Sequence, residues 1–271
     1  MYRITIRTAL LTVGAAIGFG TSLFGQSLWP DQTGDRAVAV EFLKPDFEGD
    51  NNTDFLTSAT FLSGRLLIGQ SVVGEAELPF VRYGIDTGAT KRSESSVGNP
   101  YLGVRIKSPK LTYRAGVRLP IATDDDGTTL TAGRLTDYDR FEAFLPDVFA
   151  IKGSVMGPVR LSDLVTLDIG GGPFILLSTK KNGSNDLWAQ YFVLARFTKG
   201  NVTVKSGLTG VAILTESNLD FGERTTHQFG LGATLDLGTV RPGLLVRIPL
   251  QKALTEDINY VVGLNVAVVL P

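Results

Sequence analysis

The chain has 271 residues, 43% of them hydrophobic, a formal net charge of -1 and a mean hydropathy of +0.14. Near-balanced charge excludes a nucleic-acid binder, which needs a basic excess. The absence of cysteine excludes a disulfide scaffold and any thiolate metal site.

The first residues have the form of a secretory signal. Arg3 and Arg7 make a basic start, Ala9 to Phe24 is apolar and uncharged, and Gly25-Gln26-Ser27 fits a small-x-small cleavage site. The apolar run falls short of the ~20 residues a spanning helix needs. Residues 1–27 are therefore expected to be a signal peptide, and 28–271 an outer-membrane β-barrel domain. Past the signal no helical span remains, so membrane insertion requires closure into a barrel, because lipid cannot satisfy open strand edges.

From there the chain alternates. Arg36 to Lys44 sets Val38, Val40 and Phe42 opposite Glu41, and Thr57 to Gln70 sets Leu62, Leu66 and Ile68 opposite Ser63 and Arg65. Val73 to Tyr83 follows, then a long polar stretch over 86–98 read as a loop. Tyr101 to Lys107 and Leu111 to Pro120 flank the Ser108-Pro109 reversal. The longest irregular segment is 121–148, within which Tyr138 to Leu145 is predicted as a short helix packed over or into a barrel.

Six more strands are predicted: Phe149 to Arg160, Leu164 to Leu177, Trp188 to Thr198, Val202 to Leu214, Thr226 to Leu237 and Val240 to Leu250. Gly170-Gly171-Gly172 opens no helix and so is no dinucleotide loop; it is expected to let a helix or loop approach the inner wall. The last strand, Asp257 to Pro271, places Ile258, Tyr260, Val262, Leu264, Val266, Val268 and Leu270 on one apolar face. Its length suits the ~9–11 tilted residues that cross a bilayer.

Connections alternate between long and short: 45–54, 86–98, 121–148 and 215–225 are long, whereas 71–72, 108–109, 161–163, 199–201 and 238–239 are short. The expectation is an all-β, up-and-down antiparallel transmembrane barrel of about twelve strands in the cell outer membrane. It has short periplasmic turns, longer outer loops and both ends on the periplasmic side. Tyr113 and Phe197 would sit at the periplasmic rim, with Tyr260 and Phe229 at the outer rim. Parity alone does not say which face is inside, so an exported soluble β-protein with inward apolar faces stands as the alternative.

In a membrane barrel the polar face lines the lumen. Its candidates are Arg65, Glu75, Glu77, Arg105, Arg114, Arg118, Lys152, Arg196 and Arg247, together with Glu41, Asp168, Lys205 and Asp236. Both signs interleave, so cross-strand pairing that fills a narrow barrel is the favoured reading. Arg105, Arg114 and Arg118 are the exception. Pairing around Ser108-Pro109 brings Arg105 near Arg114, where the two repel unless an acid or anion intervenes, and Glu75 and Glu77 are candidate partners. As a constriction, this cluster favours anionic or carboxylate-bearing solutes.

No catalytic residue, metal or cofactor is expected. Asp124, Asp125 and Asp126 read as a solvated loop tip, and the acidic stretch Asp46 to Asp54 lacks the glycine and glutamate of a calcium loop. His227 is the single histidine and is read as a rim residue. The expected function is a narrow passive channel for small organic or anionic solutes, monomeric, contacting the lipid bilayer and lipopolysaccharide. A closed structural or surface-interaction barrel is the alternative.

At Ala76 to Phe80 (AELPF), Gly98 to Gly103 (GNPYLG) and Gly116 to Ala122 (GVRLPIA) the chain resembles outer-membrane transporters grouped with the MetA-pathway phenol-degradation proteins. The likeness covers roughly residues 55 to 125 and implies a barrel with an uptake role for small organic compounds. One departure is the ending Val269-Leu270-Pro271, where barrel-assembly signals carry an aromatic residue.

Overall fold

The computed structural model describes residues 27–29, 34–48, 57–86, 91–216, 220–251 and 256–271. The expected signal peptide therefore lies outside the described residues except for Ser27.

The strands are β1 (Ala37–Phe47), β2 (Ser58–Leu67), β3 (Val72–Asp86), β4 (Lys91–Val97), β5 (Tyr101–Lys107), β6 (Thr112–Arg118) and β7 (Val148–Arg160). They continue as β8 (Val165–Ser178), β9 (Asn185–Lys199), β10 (Val202–Ile213), β11 (Thr225–Leu235), β12 (Val240–Pro249) and β13 (Ile258–Val269). Neighbouring strands pair antiparallel in chain order except that β5 pairs with β3 rather than β4, and β1 pairs with β13 as well as β2. The ring therefore closes through twelve strands, and β4 lies outside it. Closure leaves no edge, which is what a hydrocarbon surround demands of backbone polar groups. The seam is extended by Leu270 N donating to the Arg36 carbonyl at 2.9 Å.

The wall has the sidedness of a membrane barrel. Leu231, Leu235, Val262 and Val266 point outward and are between 39% and 48% exposed, while Glu41, Glu75, Arg118 and Arg247 point inward and are buried. This overturns the soluble alternative, in which the apolar rows would face in. Phe197, Phe229 and Tyr260 stand on the outer surface.

Several elements differ from the sequence expectation. Residues 91–97 form a strand rather than a loop: β4 pairs with the outer part of β3, from Phe80↔Val97 to Asp86↔Lys91, while the inner part of β3 pairs with β5. β4 (KRSESSV) is polar because it extends this hairpin beyond the apolar belt, so the alternation that marks the other strands is missing. A register shift near Asp46/Phe47 on β1 turns Ile258 inward, away from the face of Tyr260.

Asp236 is not lumenal. β11 ends at Leu235, and Gly238, with φ +83°, helps reverse the chain, so the Asp236 carboxylate stays at the turn, accepting from Gly238 N at 2.8 Å and pairing with Arg241 at 3.0 Å. The triple glycine admits a neighbouring strand rather than a helix or loop: a Cβ at Gly170 would lie 2.6 Å from the Phe192 ring.

Segment 121–148 contains more helix than predicted. A helix, α1 (Gly127–Thr136), precedes a 3-10 stretch, Tyr138–Phe144. With four threonines and two glycines, α1 has little intrinsic helix propensity, and it depends on burying Thr129, Leu130, Ala132, Gly133 and Thr136.

Candidate functional site

The 3-10 stretch lies inside the barrel, and its charges reach the wall on opposite sides. Arg140 donates to Glu41 on β1 at 2.5 Å, to Glu77 on β3 at 2.7 Å and to its own neighbour Asp137. Its guanidinium also lies 3.5 Å over the Phe61 ring. Arg247 on β12 donates to Asp137 at 2.6 Å and to the Thr136 carbonyl at 3.1 Å. Asp139 accepts from Thr209 at 2.6 Å and Gln228 at 3.1 Å. Glu142 is shared by Arg118, at 3.0 Å, and Lys152, while Arg118 also reaches Glu77 at 2.7 Å.

Charges this deep are costly to desolvate and persist only where partners surround them. Burial opposes ionisation of Asp137, yet Arg140 and Arg247 outweigh it and hold the carboxyl at about 2. Burial likewise opposes ionisation of Glu142, and Lys152 with Arg118 brings its value down.

Apolar contacts complete this plug. Phe141 packs on Trp188 at 5.0 Å and Phe174 at 5.9 Å, and Phe144 meets Phe61 edge-on at 5.7 Å. Asn99, at the break between β4 and β5, clamps the segment to the wall. Its side chain donates to the carbonyls of Glu142 (3.1 Å) and Leu145 (2.7 Å) and accepts from Ala122 N (2.9 Å).

A second piece comes from the amino-terminal side. Ser27 donates to Glu41 at 2.9 Å, and Trp29 Nε1 donates to Asp139 at 3.1 Å. The Trp29 ring fills the space over Gly230, where a Cβ would come within 2.3 Å. The lumen at this level is closed by packed side chains.

Nearer the short turns the lumen is looser. Arg105 stands directly opposite Arg114, as the reversal at Ser108 implied, and Glu75 lies 3.2 Å from Arg105 and 3.7 Å from Arg114. Arg105 is 3.6 Å from Asp35, which also pairs with Lys107, and Arg65 lies opposite Glu75. Arg196 holds Asp168 through two bonds of 2.8 and 2.9 Å. Cavities flank the plug. One of about 470 Å³ lies on the outer side between Phe47, Tyr83, Leu135 and the acids Glu48, Glu256 and Asp257. Another of about 200 Å³ lies toward the turns.

All nine lumenal candidates are thus on the inner wall, but the structure divides them. Glu77, Arg118, Lys152 and Arg247 hold the plug, whereas Arg65, Glu75, Arg105, Arg114 and Arg196 lie below it. Sequence reasoning missed Asp137, Asp139, Arg140, Glu142, Asn99 and Trp29. One signal was available: inward cations on the strands outnumber inward carboxylates, so acids had to come from elsewhere. His227 is at the outer rim, its Nε2 2.6 Å from the Tyr191 hydroxyl. No group of three metal-ligating side chains occurs among the described residues.

No protein-family model and no curated protein sequence matches the chain. Solved structures do match its fold. The COG4313 outer membrane channel from Pseudomonas putida F1 is 11% identical with a TM-score of 0.61, covering 91% of this chain and 100% of that one. The translocator domain of autotransporter NalP from Neisseria meningitidis is 11% identical at 0.57, covering 97% and 94%. LpxR from Salmonella typhimurium is 11% identical at 0.51, covering 86% and 100%. What these share with the chain is the closed β-barrel fold.

Proposed function

We propose that this outer-membrane barrel is a gated passive channel for small organic or anionic solutes, closed in the described state by its plug. The observation that carries the reading is that a loop insertion and a short amino-terminal segment, rather than the wall itself, fill the lumen. Removing them leaves a twelve-stranded ring with charged side chains pointing inward. The resemblance of residues 76–80, 98–103 and 116–122 to MetA-pathway transporters supports uptake of small organic compounds. The fold likeness to an outer-membrane channel supports passive transport. Export through a signal at 1–27, a monomeric state and lipopolysaccharide around the outer loops belong to the same proposal.

A second reading, a permanently closed structural barrel, is favoured by the density of ion pairs around Arg140 and Glu142. Planar-bilayer recording decides between them. The channel reading expects resolved opening steps whose anion preference falls in Arg105→Ala. A barrel that stays electrically silent over a wide voltage range sinks it in favour of the closed one.

A further inference from the structure

Three inward side chains at the floor of the plug carry buried polar atoms that find no hydrogen-bond partner in the protein. These are the Tyr101 hydroxyl, the Ser154 hydroxyl and both carboxylate oxygens of Glu75. None of the three residues is more than 4% exposed. Glu75 does sit among cations, 3.2 Å from Arg105 and 3.7 Å from Arg114, but those ion pairs leave its oxygens without a hydrogen bond. Buried polar groups in folded proteins are almost always satisfied, by protein or by ordered water. Left unmet, each costs its full desolvation, and three in one place call for a ligand.

The strand register brings them together. Glu75 on β3, Gly103 on β5, Gly116 on β6 and Lys152 on β7 form one row across the inner wall. Tyr101 stands in the next row toward the plug, with Glu77 and Arg118, and its side chain lies over the two glycines. A Cβ on either glycine would collide with its hydroxyl. The hydroxyl thus ends between β5 and β6, and β3, which carries Glu75, is the next strand over. Ser154 lies one row toward the turns, opposite Arg114 and diagonal to Gly116.

The chemistry selects the ligand. Tyr101 and Ser154 can donate and the Glu75 carboxylate can only accept, so the group they share must both accept and donate. An added anion would meet Glu75 at close range, and an added cation would meet Arg105 and Arg114. The small neutral species that accepts and donates is water, which needs two to four polar partners to stay ordered in an interior.

We infer that Tyr101, Ser154 and Glu75 hold a small cluster of ordered water, in which a water accepts from the Tyr101 hydroxyl and donates to Glu75. This cluster fixes the floor of the lock. The Tyr101 ring that it anchors lies 5.7 Å from the Arg118 guanidinium, and Arg118 in turn pairs with Glu77 and Glu142. Tyr101 is therefore a positioning residue for the plug, acting through Arg118. The inference does not rest on the channel reading, because a permanently closed barrel has the same floor.

Two measurements on the full-length barrel test it. A high-resolution crystal structure of the unaltered protein is expected to show a water about 2.7–3.0 Å from the Tyr101 hydroxyl and in reach of Glu75. Clear density for the side chains with no water between them overturns the inference. The second measurement turns on a sign. Tyr101→Phe keeps the ring beside Arg118 and deletes only the hydroxyl. A hydrated hydroxyl predicts that the midpoint of heat-modifiable migration falls by about 2–4 °C, because the water and Glu75 lose a partner. A dry one predicts a rise, because an unmet group has been removed. A rise or no shift overturns the inference, and Ser154→Ala is expected to lower the midpoint in the same way. The density measurement needs no variant, so it decides the matter even if neither variant folds. Bilayer recording keeps the two proposals apart: an electrically silent barrel with the water present removes the channel and keeps the cluster, and opening steps from a barrel without the water do the reverse.

Discussion

The outer and periplasmic halves of the lumen are both lined with charge, yet they are built in opposite ways. In the outer half, Arg118, Arg140, Lys152 and Arg247 meet Glu41, Glu77, Asp137, Asp139 and Glu142, with most contacts between 2.5 and 3.0 Å. Those cations bridge the wall and the plug or contact both. In the periplasmic half, the contacts around Glu75 stretch to 3.2 and 3.7 Å, and like charges face each other across strands. The first arrangement is a lock: removing any member strands its partners in a dry interior. The second is looser and ties the wall to itself rather than to the 3-10 stretch. Tightly paired buried charge holds the plug in place, and the more widely spaced charge below it contributes less to that hold.

If that contrast is right, the largest effect comes from the centre of the lock. Arg140→Ala leaves Glu41, Glu77 and Asp137 without their shared cation, and breaking a buried pair costs about 3–5 kcal/mol. The expected outcome is a longer open time in bilayer recordings and a lower temperature for heat-modifiable migration. Wild-type behaviour on both counts would show that Arg140 does not hold the plug.

Acid comes next. Asp137 sits at about 2 in the docked plug, against an ordinary value of 3.8. Its charge therefore stabilises docking above about pH 4, and that contribution, about 2 kcal/mol, is lost as the pH falls toward 2. Opening frequency should rise across that window; a frequency flat from pH 5 to 2 removes Asp137 as the acid-sensitive element.

Asn99→Ala is expected to cost about 1–3 kcal/mol, because the Glu142 and Leu145 carbonyls lose their donor and Ala122 N its acceptor. Faster amide exchange confined to residues 122–146 is the readout, and protection equal to wild type there removes Asn99 as the clamp.

The smallest effect on stability belongs to the other half. Arg196 is partly exposed, so Arg196→Gln should change unfolding by no more than about 1 kcal/mol while lowering anion preference. A large destabilisation with selectivity unchanged would reverse the assignment of the two halves.

Much of the wall was legible in the residues. The outward rows through Leu231 and Val262, the pairing of Arg105 with Arg114 and the part played by Glu75 and Glu77 follow from a period of two and a tight reversal. β4 was not legible, because a strand outside lipid has no need of an apolar face. Nor was α1, whose threonines and glycines argue against a helix until the barrel interior offers Phe144 and Leu130 a place to pack.

The sequence by itself determined the two-faced strands of the wall, and the tertiary structure settled which face looks inward. Each strand must give one face to hydrocarbon and one to the lumen, and that constraint is local, repeating every second residue. Only the tertiary structure decided what fills the ring. The bonds that close it join Trp29 to Asp139, 110 positions apart, and Glu41 to Arg140, 99 apart. No local pattern encodes which distant acid will neutralise which arginine, because that depends on a loop folding back into a space that exists only once the barrel has closed.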